Sequence, residues 1–132
     1  MARSRISQRL FRTRAEDDLP MRISSVFAMG KSCDDVWMPL IMEELSSEYP
    51  AMRYEAARAA GELELRPALP RLAELAYEGD REIQGAAIWA LGEIGGDAAK
   101  TVLNNLAAQA EDTGDAELAA AVADAQGAAT LV

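Results

Sequence analysis

Residues 83–92, Ile83-Gln-Gly-Ala-Ala-Ile-Trp-Ala-Leu-Gly92, decide the fold of this chain because the same pattern occurs four times. The other copies are residues 21–30, 52–61 and 118–127, so the closing glycines are spaced by 31, 31 and 35 residues. Such a period is typical of stacked supersecondary units that bury their apolar faces against one another. The longer last interval indicates an insertion of four residues, which we place in the turn at residues 111–114.

The residues around each copy predict two helices per repeat. Ala and Leu, which favour helices, dominate the copies. An Asp lies three residues before three of the four copies, at Asp18, Asp80 and Asp115, where it can act as an N-cap. The predicted second helices are residues 20–30, 51–62, 82–93 and 115–127, and the first helices are 34–48, 66–78 and 96–109. The four repeats are then residues 3–31, 34–62, 66–95 and 96–129.

The predicted fold is all-α: a right-handed α-α superhelix of about four helical hairpins, in one domain over residues 1–132. Half of the residues are hydrophobic but only 5% are aromatic, so helices with small side chains would pack closely. The sequence has no run of 18 apolar residues, so we expect no membrane span. One cysteine forms no internal disulfide, and we expect a cytoplasmic protein.

The charge of the chain argues against nucleic acid as a partner. There are 13 basic and 22 acidic side chains, and five of the basic ones are arginines within residues 1–14. Residues 15–132 therefore carry 8 basic against 22 acidic side chains, whereas nucleic-acid binding needs a broad basic surface. The Arg-rich N-terminal segment could bind an anionic surface, pack on a second copy, or form the first helix of a leading repeat; we favour the last because Ile6, Leu10 and Phe11 fit the repeat.

The sequence offers little for catalysis. It contains no histidine, the usual general base near neutral pH. Cys33 is followed by Asp34 and Asp35, whose charges oppose formation of a thiolate. Neighbouring carboxylates such as Glu43 and Glu44 are typical of solvated helix faces. We therefore predict no catalytic residue, no metal site and no cofactor, and hence a protein that is not an enzyme.

Two stretches resemble HEAT-like repeats of the phycobilisome-lyase type. They are residues 78–95, with Asp80 before Ile83 and the run Ala-Ala-Ile-Trp-Ala-Leu-Gly, and residues 52–61, with Met52-Arg53 and a closing glycine. The resemblance extends over residues 15–127. It implies a solenoid whose second helices line a concave face, and it allows a subunit related to bilin lyases. Iron-dependent hydroxylases of the wider family use His-Glu pairs, which this chain lacks.

The resemblance also implies a ladder between neighbouring repeats. In such repeats an Asp before the second helix pairs with an Arg at its second position. Asp18, Asp80 and Asp115 match the Asp, and Arg22 and Arg53 match the Arg. Gln84 and Ala119 depart from the pattern, so the predicted ladder is incomplete.

A stripe along the second helices is the predicted partner-binding site on the concave face. Positions two and six after the start of each copy lie about 40° apart on a helical wheel. They include Ile23, Phe27, Tyr54, Arg58 and Trp89, and interface hot spots are rich in Trp, Tyr and Arg. Phe27 and Trp89 could instead pack between repeats.

These features predict a non-catalytic adaptor that binds an unidentified protein on its concave face. The first alternative is a subunit related to bilin lyases, which follows from the resemblance alone. The second is self-association through the C-terminal helix, because residues 118–132 are Ala-rich and carry little charge, whereas solenoids normally end in polar caps.

Overall fold

The computed structural model describes residues 19–32 and 35–130 of the chain, which form seven α-helices and no strand. The helices are α1 (Leu19–Lys31), α2 (Met38–Glu44), α3 (Pro50–Glu62), α4 (Leu69–Leu75), α5 (Arg81–Ile94), α6 (Gly96–Thr113) and α7 (Ala116–Ala129). Asp18, Cys33, Asp34 and the Arg-rich residues 1–14 lie outside the described residues.

The helices form two layers. In the second-helix layer, α1, α3, α5 and α7 lie side by side, each against the next. In the first-helix layer, α2, α4 and α6 each pack on the second helix of the same repeat, α3, α5 and α7 respectively. The predicted all-α stack of helical hairpins is therefore confirmed.

The core lies between the layers and follows the repeat. Residues at equivalent positions of successive repeats are completely or almost completely buried. From the first helices they are Ile41, Leu72 and Leu103; from the second helices they are Met52, Ile83 and Leu118. Because burial recurs at the same register, removal of these apolar surfaces from water stabilises each junction in the same way.

Local sequence explains where the second helices begin. Pro50 is the first residue of α3, where its fixed φ suits a helix and its missing N–H costs no hydrogen bond. The Asp80 carboxylate accepts hydrogen bonds from the backbone N–H groups of Glu82 and Ile83. Asp115 accepts one from the N–H of Leu118. Both aspartates therefore act as N-caps, as the sequence predicts.

The first helices differ from the prediction. A 3₁₀ turn precedes each short helix, Asp35–Trp37 before α2 and Arg66–Ala68 before α4, so the α-helical parts are shorter than expected. The helix α6 continues instead to Thr113 and ends at Gly114, whose left-handed backbone (φ 69°, ψ 29°) lets its N–H donate to the Ala110 carbonyl. The insertion of four residues therefore lengthens α6, and its placement in a turn is wrong.

Among the described residues, ion pairs connect successive repeats through partners other than those of the predicted ladder. The Nε atom of Arg53 lies 3.3 Å from Oε1 of Glu78 in the next repeat. Asp80, the predicted partner of Arg53, caps its own helix instead. Asp115 pairs with Arg81, the first residue of α5. Arg22 donates a hydrogen bond of 3.0 Å to Glu44 in the next repeat.

Candidate partner-binding face

The predicted stripe lies on the exposed side of the second-helix layer, which we call the second-helix face. Phe27 projects from α1 with 54% of its surface exposed, and Lys31 Nζ lies 5.6 Å from the centre of its ring. Ile23, Tyr54 and Trp89 are half-buried and pack partly against the core. The stripe therefore combines side chains that support the layer with surface that a partner can reach.

Arg58 and Trp89 form a stacked pair between α3 and α5. The Arg58 guanidinium carbon lies 4.2 Å from the centre of the Trp89 ring, within the range of a cation–π interaction. The edge of the same ring rests over Gly61, because a Cβ built at that glycine would lie 2.5 Å from Trp89 Cζ3. Gly61 thus provides the space that lets Trp89 lie across two repeats. Part of the Trp89 ring packs between repeats, and part of it is exposed on the second-helix face.

Two depressions lie along the second-helix face. The first, of about 210 Å³, lies between α3 and α5 and includes Ile23 and Tyr54. The second, of about 340 Å³, lies between α5 and α7 and includes Trp89. Small side chains make room in the second depression; they are Gly85, Ala121, Ala125 and Ala128. The five predicted stripe residues are therefore not one continuous groove, because Ile23 and Tyr54 face one depression, Trp89 faces the other and Arg58 covers the Trp89 ring.

The charged residues that line both depressions are acidic. Glu55, Asp80 and Glu82 line the first, and Glu93 and Asp124 line the second. Burial raises the pKa of Glu55, and the positive charge of Arg58 offsets part of this increase. A positively charged group entering the first depression would favour the ionised form of Glu55.

Sequence reasoning did not identify this acidic lining. Glu55 follows the stripe residue Tyr54, and Glu93 lies one helical turn after Trp89. The spacing of these acids along each helix therefore places them beside the stripe residues. Glu93 and Asp124 line the same depression because neighbouring second helices pack closely, which the sequence does not specify.

Within residues 19–32 and 35–130, no group of three or more His, Cys, Asp or Glu side chains is arranged to hold a metal ion. The prediction of a solvated carboxylate is wrong for Glu44, which is buried and pairs with Arg22. Glu62, in α3, pairs with Lys31 at 2.8 Å. In the same part of the chain, no helix has the length and apolar character needed to cross a membrane.

Comparison with known proteins identifies the repeats. A family model described as HEAT repeats matches residues 38–125, which extend from the start of α2 to near the end of α7. No curated protein matches the chain.

Proposed function

Because the chain belongs to the family of HEAT repeat proteins, we propose that it is a non-catalytic adaptor that binds a polypeptide on its second-helix face. The observation that carries this proposal is the half-buried Trp89 ring, which Arg58 covers and which borders a depression of about 340 Å³. A rigid aromatic side chain beside a depression is a typical anchor for a partner side chain. HEAT-type stacks present such surfaces along their length.

The chemistry of the face favours a basic segment with apolar side chains as the partner. The apolar side chains would contact Trp89 and Tyr54, and Lys or Arg side chains would approach the carboxylates that line the depressions. Charge complementarity of this kind mainly determines which partners associate and how fast. The Arg58 guanidinium, which lies on Trp89, could donate hydrogen bonds to carbonyl groups of the bound segment.

Selection from a random peptide library would test this function. We expect the wild-type chain to enrich peptides that combine Arg or Lys with large apolar residues. Trp89→Ala should weaken binding of an enriched peptide by about 30-fold or more, or about 2 kcal/mol, as expected for a hot spot. The control is Tyr77→Ala, because Tyr77 is half exposed but lies in the loop between α4 and α5.

A charge-reversal pair tests the acidic lining separately. Glu93→Lys with Asp124→Lys reverses both carboxylates of the second depression and should abolish binding of the basic peptides. Glu111→Lys with Asp112→Lys makes the same change in charge at exposed positions near the end of α6 and should leave binding unchanged. Enrichment of acidic peptides, or equal losses for the two pairs, would contradict the proposed partner class.

The narrower resemblance to phycobilisome-lyase-type repeats stays a prediction from the sequence. A spectral change on mixing the chain with a bilin would support it. The adaptor proposal does not depend on this outcome.

A further inference from the structure

At the closing glycines of the repeats, the following second helix packs directly against the glycine backbone. A Cβ built at each of the first three would lie about 3 Å from the Cα of an alanine in the next second helix, too close for an ordinary contact. The pairs are Gly30 with Ala59 at 2.9 Å, Gly61 with Ala90 at 3.0 Å and Gly92 with Ala125 at 2.9 Å. The same junction, glycine against alanine backbone, is therefore used three times along the stack.

The fourth glycine of the series has no such partner among the described residues. A Cβ built at Gly127 meets no atom of the described residues within 4 Å. Ala123 and Ala119, one and two turns earlier on α7, are also exposed. The residue equivalent to Ala123 in the preceding repeat is Ile88, which is only 1% exposed. The outer side of α7 thus repeats a surface that the preceding second helices bury, and no described residue covers it.

The opposite end of the layer carries the complementary surface. Met21 is 54% exposed, whereas Met52, at the equivalent position of α3, is completely buried. Ala28 is exposed, although it is equivalent to Ala59, which fills the contact with Gly30. The outer side of α1 therefore presents the side chains that α3, α5 and α7 use to pack on their preceding helix.

We propose that copies of this chain associate head to tail, with α1 of one copy packing on the outer side of α7 of another. Ala28 of the second copy would pack against Gly127, in the same way that Ala125 packs against Gly92 within the chain. The contact continues the second-helix layer across the junction. Because the two surfaces differ, the interface is heterologous, and each added copy exposes the same surface again.

Analytical ultracentrifugation over a concentration series tests the association. The wild-type chain of 14.2 kDa should form species of two and more copies as its concentration rises. Gly127→Arg and Ala28→Arg should each remain single copies, because either side chain blocks the approach of the helices. The matched control is Gly79→Arg, since Gly79 also has open space around it but lies in the loop between α4 and α5. It should associate as the wild type does.

Mixing the two blocked variants tests the head-to-tail arrangement. The Ala28→Arg variant keeps an intact α7 surface, and the Gly127→Arg variant keeps an intact α1 surface. Their equimolar mixture should form a species of two copies and nothing larger. Circular dichroism would establish that all variants are folded.

Three outcomes would overturn the proposal. They are a wild-type chain that stays a single copy up to millimolar concentration, a Gly127→Arg variant that associates like the wild type, and blocked variants that remain single copies when mixed. Peptide binding on the second-helix face involves other residues, so its outcome is independent of this result.

Discussion

At the scale of single residues, Asp80 has only one of the two roles that the sequence suggested for it. Its carboxylate caps α5, while Glu78 takes the position beside Arg53 that the predicted ladder gave to Asp80. The two acids are only two residues apart, and the choice between them depends on the backbone of the loop. The presence of an acid at the junction was therefore predictable from the sequence, but its partner was not.

Replacing Asp80 tests the cap. Asp80→Ala should lower the free energy of unfolding by about 1 kcal/mol, because the N–H groups of Glu82 and Ile83 lose their acceptor. Asp80→Asn should retain most of the stability, since Asn also caps helices. Urea denaturation measures both changes, and equal losses for the two variants would contradict a capping role.

The buried Glu44 gives stability a defined dependence on pH. Burial raises the pKa of Glu44 above its ordinary value of 4.5, and the charge and hydrogen bond of Arg22 offset only part of this effect. Between 4.5 and the raised pKa, the folded chain binds more protons than the unfolded chain at this site. The contribution of Glu44 to stability therefore falls as the pH rises through that window.

Comparison with Glu44→Gln isolates this contribution. The stability of the wild-type chain relative to the Gln variant should increase as the pH is lowered from neutral to 4.5. Denaturant unfolding of both proteins across that range measures the difference. A relative stability that decreases towards acid would mean that the attraction of Arg22 outweighs the effect of burial.

At the scale of helices, the glycine series determines how closely the second helices approach. Gly92→Ala should reduce the free energy of unfolding by about 1–3 kcal/mol, because the new methyl group would lie 2.8 Å from the Ala125 carbonyl oxygen. Gly85→Ala, in the same helix but with open space, should increase it by about 1 kcal/mol through helix propensity. Chemical denaturation compares the two, and a change of the same sign in both would contradict the close approach.

The second helices were more predictable than the first helices. Their start signals and apolar registers recur at fixed intervals, and the packing confirms both. The first helices lack this regularity because 3₁₀ turns replace the first turn of two of them. Residues 111–113 suit either a helix or a turn, and the left-handed Gly114 sets the end of α6.

The candidate site was predictable in part for the same reason. Helical spacing places Tyr54, Arg58 and Trp89 on one face, but their surroundings depend on neighbouring repeats. Trp89 lies over Gly61, which is 28 residues earlier in the sequence, and its depression includes Asp124 from the next repeat. These relationships arise from the distance between helices, which a single-helix pattern does not specify.

At the scale of the whole molecule, the two proposed surfaces lie on different sides of one layer. The second-helix face would bind a basic segment, and the outer sides of α1 and α7 would join copies. Head-to-tail association would align several second-helix faces and bring their depressions into one series. A partner with repeated basic segments would then bind more tightly than one with a single segment, through effective concentration alone.

The most direct test of the central claim is the fluorescence of Trp89 during titration with a peptide containing Arg and Leu. The chain has two tryptophans, so Trp37→Phe leaves Trp89 as the only one. We predict a saturable change in Trp89 emission that weakens as the salt concentration rises, because the carboxylates beside the ring are screened. A peptide with Glu in place of Arg should cause no change. No response to the basic peptide, or the same response to both peptides, would contradict the account.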